Sequence, residues 1–233
     1  MLWNEEPEAP DVDSRSVDIN YRIQCPRLPE DHAQALWQAL CDHIPWVSED
    51  PRSGIHEIHG GASGNGWFRP EARSGGDGIL HLSKRTRLVI RSAQARIEGC
   101  MALCGRTVDV AGYPLTFGDA QAKPLSSAPT QFARRVVPPE SLDELAFSRW
   151  LAGFLKDRGI LVRKLLCGLE SPISTERGTI VARSVLIADL KPDEAMALQS
   201  QVVGTHGHLG CGLFVEHKGI AAVTNALSND GAL

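Results

Sequence analysis

Apolar and polar residues alternate through residues 17–24, Val-Asp-Ile-Asn-Tyr-Arg-Ile-Gln, the period-two pattern of a strand with one buried face. Behind Pro29-Glu-Asp the period becomes helical, running to about residue 42 with Ala35, Leu36, Ala39 and Leu40 on the inner face. A short strand over 55–59, a glycine-rich loop to Gly78, a long strand over 79–92, a helix over 93–103 ending at Gly105 and a hairpin-like strand over 107–117 follow. This is the β-α-β-β-α-β order of a ferredoxin-like unit. Residues 119–128 read as a linker. The order then recurs: strand 131–137, helix 141–158 behind Pro138-Pro139, strands 161–169 and 179–189 about a turn at 171–178, helix 192–203 and a short strand at 212–215. The expectation is an α+β protein of two tandem ferredoxin-like (RRM-like) βαββαβ domains, at 17–118 and 129–220, with tails at 1–16 and 221–233.

Composition leaves that picture unchanged. The 233 residues are 42% hydrophobic and 22% charged, ordinary for a soluble globular protein, and enough for one large domain or two small ones. No stretch approaches the roughly 18 apolar residues that span a bilayer, so no membrane partner is expected. The start, Met-Leu-Trp-Asn-Glu-Glu, lacks the positive and apolar regions of a secretory signal, and a cytoplasmic location is expected. Cys25, Cys41, Cys100, Cys104, Cys167 and Cys211 are scattered and read as reduced core residues. Cys100 and Cys104 share a helical face, but no second pair completes a zinc site.

Charge changes the picture more. The net charge is −4, and Glu5, Glu6, Glu8, Asp11 and Asp13 against Arg15 give the first 16 residues all of it. That stretch reads as a disordered acidic tail. The remainder is neutral, so any binding of nucleic acid must come from local basic patches. One such patch is Lys84-Arg-Thr-Arg-Leu-Val-Ile-Arg91. Alternation puts Leu80, Leu82, Leu88 and Ile90 on one face of the expected strand and Arg85, Arg87 and Arg91 on the other. The three guanidiniums would span roughly 20 Å, and their forks suit phosphate oxygens; the alternative is a solvated strand face. Arg134, Arg135, Arg163, Lys164, Arg177 and Arg183 recur in the second half. Only 6% of residues are aromatic, and the aromatic strand motif of single-strand RNA readers is missing. Recognition of backbone and shape is therefore expected over base stacking.

A second patch is Gly204-Thr-His-Gly-His-Leu-Gly-Cys-Gly-Leu-Phe214. Gly204, Gly207, Gly210 and Gly212 allow close approach of a ligand, and bare N–H groups in a helix-to-strand connection suit phosphate. A helix C-cap followed by a tight turn is the alternative. The run lacks the lysine-serine ending of a P-loop and follows a helix rather than opening one.

The densest chemistry is in Gly54-Ile-His-Glu-Ile-His-Gly-Gly-Ala-Ser-Gly-Asn-Gly-Trp67. His56 and His59 stand at i and i+3 in a strand-to-loop passage, not at the i and i+4 of a helical zinc-protease motif, so no metal is expected. Imidazoles beside a loop and basic residues suit general acid–base work. RNA carries its own nucleophile in the 2′-hydroxyl, and the protein need only move protons and stabilise the phosphorane charge. Ser63 and Asn65 are candidate helpers. A structural hydrogen-bonding role for either histidine is the alternative. A Ser-His-Asp site is less favoured still, because the Gly-x-Ser-x-Gly elbow is missing. A two-histidine phosphoesterase finds one His-x-Ser motif, His81-Leu-Ser83, and lacks the second.

Together, Gly54-Ile-His-Glu-Ile-His-Gly60, Leu82-Ser-Lys-Arg-Thr-Arg-Leu88, Arg163-Lys-Leu-Leu-Cys-Gly168 and Leu209-Gly-Cys-Gly-Leu-Phe214 resemble a smaller subgroup of the CRISPR-associated Cas-six family (RAMP superfamily) over about residues 17–220. The resemblance implies a metal-independent endoribonuclease that needs no cofactor. It would cut precursor CRISPR RNA at the base of a repeat stem-loop, leave a 2′,3′-cyclic phosphate or 3′-phosphate, retain its product and join other Cas effector subunits. It implies a general histidine between the first helix and the second strand, where this chain has His43, His56 and His59. Of these, His59 and His56 are the candidates carried forward, with Ser63. It places Gly204, Gly207, His208, Gly210 and Gly212 against RNA, with His206 and His208 where relatives carry lysine or arginine. It assigns the RNA stem to the hairpin at 161–189, with Arg163, Lys164, Arg177 and Arg183. A subunit that binds CRISPR RNA without cutting it is the alternative.

Overall fold

The structure, a computed structural model, describes residues 15–59 and 78–217. The chain divides into two compact units, Met1–Pro124 and Leu125–Leu233.

In the first unit the alternating segment forms β1 (Ser16–Gln24), followed by β2 (Arg27–Pro29), α1 (Ala33–Cys41), β3 (Gly54–Ile55), β4 (Ile79–His81), β5 (Arg87–Ala93), α2 (Ile97–Met101), β6 (Thr107–Val110) and β7 (Tyr113–Pro124). The main sheet is antiparallel with strand order β3-β5-β1-β7-β6. It is a ferredoxin-like sheet with β1 at its centre. The period-two pattern decides its two faces. Ile19, Tyr21, Ile23, Leu88, Ile90, Leu115 and Phe117 are buried with Leu36 and Leu40 of α1 and Cys100 of α2. Tyr21 closes this core at both ends of its ring, edge-on to Phe117 at 5.2 Å and donating its hydroxyl to the Cys100 carbonyl at 2.8 Å. The other face carries Asp18, Asn20 and Arg22 of β1.

Two expectations for this unit are corrected. The strand expected over 79–92 is interrupted. The Thr86 amide donates to the Ser83 carbonyl at 3.0 Å, and the Ser83 and Thr86 hydroxyl oxygens accept from the Arg85 and Ser83 amides at 3.2 Å. Short hydroxyl side chains that capture nearby amides make a turn of this kind. It sends β4 away to pair with β2 while β5 stays in the main sheet. Residues 119–124, expected in a linker, are instead the end of β7, paired with β1 from Phe117 opposite Ile23 to Pro124 opposite Val17. The expected tails and the loop at 60–77 lie outside the described residues, except Arg15 and Ser16.

The second unit runs β8 (Gln131–Val136), α3 (Glu144–Lys156), β9 (Lys164–Thr175), β10 (Gly178–Ala188), α4 (Pro192–Gln199) and β11 (Val215–Glu216). Its antiparallel sheet has the order β11-β8-β10-β9. Asp143 caps α3 by accepting from the Ala146 amide at 2.8 Å, which satisfies one orphan donor of the first turn. Phe147, Leu151 and Leu155 of α3 and Ala195 and Leu198 of α4 pack with Val185, Ile187 and Phe214. The turn expected over 171–178 is shorter: residues 171–175 continue β9, and the Thr175 hydroxyl donates to the Gly178 carbonyl at 2.7 Å across a tight connection.

Candidate active site and nucleic-acid interface

The histidine segment extends the main sheet by one more bond. Gly54 faces Arg91 and Ile55 faces Ile90 across β3 and β5, and the His56 amide donates to the Val89 carbonyl at 2.9 Å. This register puts His56 beside the face that carries Asp18 and Arg91, which are themselves directly opposed across β1 and β5. Arg91 is fully buried, and its Nε and Nη2 donate to the two Asp18 carboxylate oxygens at 2.8 and 2.9 Å. His56 Nε2 lies 3.7 Å from Asp18 Oδ1. That nitrogen is buried and has no hydrogen-bond partner among the described residues.

Electrostatics separates the two groups. Burial raises the Asp18 pKa, but His56 and Arg91 more than offset this and hold the carboxyl well below its ordinary range. Burial lowers the His56 pKa, the Arg91 charge adds to that, and Asp18 opposes it in part. The result is an ionised carboxylate beside an imidazole that is neutral at pH 7. Its side chain is 16% exposed.

The segment is fixed from behind by His32. This residue is buried, its Nδ1 is 2.9 Å from the Pro29 carbonyl, and its Nε2 accepts from the Ile58 amide at 3.1 Å. Ile58 is buried and His59, next along the chain, is partly exposed. His43 is exposed just past α1. Ser63 and Asn65 lie outside the described residues. Among the described residues no three His, Cys, Asp or Glu side chains converge as a metal site would need.

The expected row of arginines is corrected. Arg85 is exposed in the Ser83–Thr86 turn rather than on a strand, and Arg91 is consumed by Asp18 inside the protein. Only Arg87 is both on the strand and exposed. It gains a different companion, because Arg22 of β1 is its direct cross-strand partner. Like charges in that position repel, and among the described residues neither forms a salt bridge. A concavity of about 330 Å³ on this face is lined by both, with Asn20, Asp119, Ala120, Gln121 and Lys123. Three cations against one carboxylate suit a phosphodiester.

In the second unit the basic residues divide. Arg163 donates to both Glu194 carboxylate oxygens, at 2.6 and 3.2 Å, and to the Leu161 and Asp189 carbonyls. It is a strut between the start of β9 and α4, not a free cation. Its hydrogen bonds and the Lys191 amide hold Glu194 down to about 2. Arg183 reaches Glu170 at 2.6 Å, and exposed Lys164 pairs with Asp189 at 3.0 Å. Arg177 is exposed at the β9–β10 turn.

The expectation of bare amides is corrected at five positions of the glycine run. The amides of Thr205, Leu209, Gly210, Cys211 and Gly212 donate to carbonyls of the protein itself, Gly212 to Arg135 at 2.7 Å and Thr205 to Val137 at 3.0 Å. They are not bare. Gly207 and Gly212 are buried. Gly204, Gly210 and Gly212 have φ of +87°, +83° and +70°, and a Cβ on Gly212 would lie 2.7 Å from the Val203 nitrogen and 2.9 Å from its carbonyl carbon. The glycines serve a turn packed against β8. His206 has a left-handed φ of 64°, which is strained for a residue with a side chain. Its ring is 6.0 Å from that of His208, Thr205 Oγ1 lies 2.7 Å from its Nδ1, and burial lowers both imidazole pKa values.

The family model "Cas6 Crispr" matches residues 17–219. The chain belongs to the Cas6 family. It is similar to "CRISPR-associated endonuclease Cas6" of Myxococcus xanthus (strain DK1622), at 25% identity over 85% of this chain and 80% of that protein. Solved structures share the fold: "CRISPR associated protein Cas6", TM-score 0.58 and 11% identity over 88% of this chain and all of that one; and "Characterization of a Cas6-related gene from Pyrococcus furiosus", TM-score 0.54 and 16% identity over 85% and 97%. Within this Cas6 chain, Asp18, Asn20, Arg22, His32 and Lys123 join the site without being marked as candidates by the sequence motifs. The alternation that marked the polar side of β5 also runs through β1, and following it there would have found Asp18, Asn20 and Arg22. Nothing in the sequence marks His32, which is fixed by contacts 26 residues away.

Proposed function

We propose that this Cas6 chain is a metal-independent endoribonuclease that cuts precursor CRISPR RNA within its repeats by 2′-hydroxyl attack and retains the product. The observation that carries this reading is the neutral His56 imidazole held beside the Asp18 carboxylate, on the sheet face that also carries the Arg22–Arg87 pair. A neutral imidazole takes the 2′-hydroxyl proton. A second proton donor returns one to the departing 5′-oxygen, and guanidiniums stabilise the charge that builds on phosphorus. The Asp18 contact favours His56 over His59 and His43 as the base. The βαββαβ order of the second unit supports a second ferredoxin-like domain. Its exposed Arg177 and Lys164 offer cations for an RNA stem, and association with other Cas effector subunits in the cytoplasm completes the proposal.

Labelled transcripts of the repeats encoded near this gene, incubated with the protein and mapped at both new ends, test the reading. Cleavage at one position in each repeat is expected, with EDTA without effect. The three single variants His43→Ala, His56→Ala and His59→Ala identify the base, and loss of cleavage with RNA binding retained is expected for His56→Ala. The burial of His56 favours one other reading, a subunit that binds CRISPR RNA and does not cut; a retained but intact transcript would select it.

A further inference from the structure

Arg91 and Asp18 are an expensive way to fill the space beside β3. A fully buried guanidinium is desolvated, and an apolar pair of similar volume serves stability equally well. The arrangement does accomplish something an apolar pair does not: it fixes a carboxylate, ionised and immobile, 3.7 Å from His56 Nε2. Both carboxylate oxygens are already held by Arg91, so the carboxylate cannot swing away. His56 Nε2 is buried with no other partner among the described residues. A buried N–H without an acceptor is unfavourable by about 1–3 kcal/mol, and Asp18 Oδ1 is the acceptor within reach once the ring tips by a few tenths of an ångström.

We infer that Asp18 is a positioning residue for RNA cleavage, selecting the His56 tautomer with the proton on Nε2 so that Nδ1 is the nitrogen that receives the 2′-hydroxyl proton. The inference rests on the endoribonuclease reading above. In the step itself the 2′-oxygen loses its proton to Nδ1 as it bonds to phosphorus, and the bond from phosphorus to the 5′-oxygen breaks, the departing alkoxide taking its proton from solvent water. The imidazolium so formed carries its positive charge against the Asp18 carboxylate. Arg91 is the clamp that holds Asp18. It also opposes premature protonation of the ring, because its own charge faces His56. The other charged groups around this pair are Lys123 of β7, in register with Asp18 on the next strand and exposed, and Glu57 and His59, which follow His56 along the chain. The logic is that of a carboxylate orienting a catalytic imidazole, reached here with an arginine on the carboxylate's far side.

Two measurements test it on the full chain. In the unliganded wild type, ¹⁵N-histidine NMR reads the tautomer directly, and the Nε2–H form of His56 is expected; the Nδ1–H form overturns the inference. Single-turnover cleavage of repeat RNA is then compared across pH for wild type, Asp18→Asn, Asp18→Glu and the double variant Asp18→Asn/His56→Ala. Asp18→Asn is expected to slow cutting by at least about 100-fold with RNA affinity unchanged and its pH midpoint moved down, because the imidazolium has lost its anion. Asp18→Glu should recover part of the rate. Asp18→Asn should add nothing once His56 is removed. Asp18→Asn that cuts as fast as wild type with the same pH profile overturns the role of Asp18 and leaves the endoribonuclease reading standing. A wild type that cuts no repeat RNA overturns that reading itself, and the role of Asp18 with it.

Discussion

Replacing Gly212 by alanine separates two explanations of the glycine run. If the glycines expose amides to phosphate, a methyl group at position 212 would weaken RNA binding in a folded protein. The structure points elsewhere. Gly212 has φ +70°, where an L-residue is strained by about 1–2 kcal/mol. Its added Cβ would lie 2.7 Å from the Val203 nitrogen and 2.9 Å from the Val203 carbonyl carbon. Those atoms belong to a backbone segment paired back to position 212, since the Val203 amide donates to the Gly212 carbonyl at 3.0 Å. They cannot move aside as a flexible side chain would, and overpacking of this kind destabilises by about 1–3 kcal/mol. The combined expectation is about 2–5 kcal/mol. At about 4–8 °C per kcal/mol for a unit of roughly 100 residues, the melting temperature of the second unit should fall by at least about 8 °C. Gly153→Ala is the control. Gly153 is exposed within α3, and a Cβ there meets nothing within 4 Å, so alanine should stabilise by about 0.5–1 kcal/mol. Thermal and urea melts of both variants give the answer. A Gly212→Ala protein as stable as wild type but with weakened RNA binding would refute the packing account.

Further outcomes follow from other parts of the chain. Removing Arg22 or Arg87 should weaken RNA binding across sequences alike and reduce the slope of log K against log salt by about 0.7–0.9 each. Arg91→Ala should instead destabilise by about 3–5 kcal/mol, because it leaves the Asp18 carboxylate buried and unpaired. The lowered His56 pKa means the folded state binds fewer protons there than the unfolded state does. Stability should therefore fall as pH drops through 6.5, the ordinary histidine value, and His56→Gln should flatten that part of a stability–pH curve. Glu194, held down to about 2 from 4.5, stabilises the second unit above its unfolded pKa. That contribution should drain away as pH falls from about 4.5 toward 2, and Glu194→Gln should lack this acid limb.

Legibility in the sequence followed the range of the forces involved. β1 and the order of elements were readable because period-two burial is written in adjacent residues. The break at 83–86 was not, because Ser83 and Thr86 fit the alternation as well as the turn; only their hydroxyls, competing for amides, decide it. The same limit applies to arginine. Arg91 and Arg87 look alike in sequence, yet one faces Asp18 and the other faces Arg22. That difference is set by β1, some 70 residues earlier. Arg163 likewise reads as an RNA ligand in sequence, and its partner Glu194 lies on α4, 31 residues away. The glycine run was legible as a turn, and its positive φ values explain the residue choice, but the carbonyls of Arg135 and Val137 that accept its amides lie in another strand. The loop context marks His56 in the sequence, and its carboxylate partner is set by the sheet register.

The origin of the nucleophile decides whether His56 acts as the base. A repeat RNA carrying a single 2′-deoxy nucleotide at the mapped cut should bind with unchanged affinity and remain intact through many wild-type half-lives, while the all-ribose RNA yields a 2′,3′-cyclic phosphate end. Cutting of the deoxy substrate at the same position, with a 5′-phosphate on the downstream product, would show that water attacks and would contradict the mechanism built on His56.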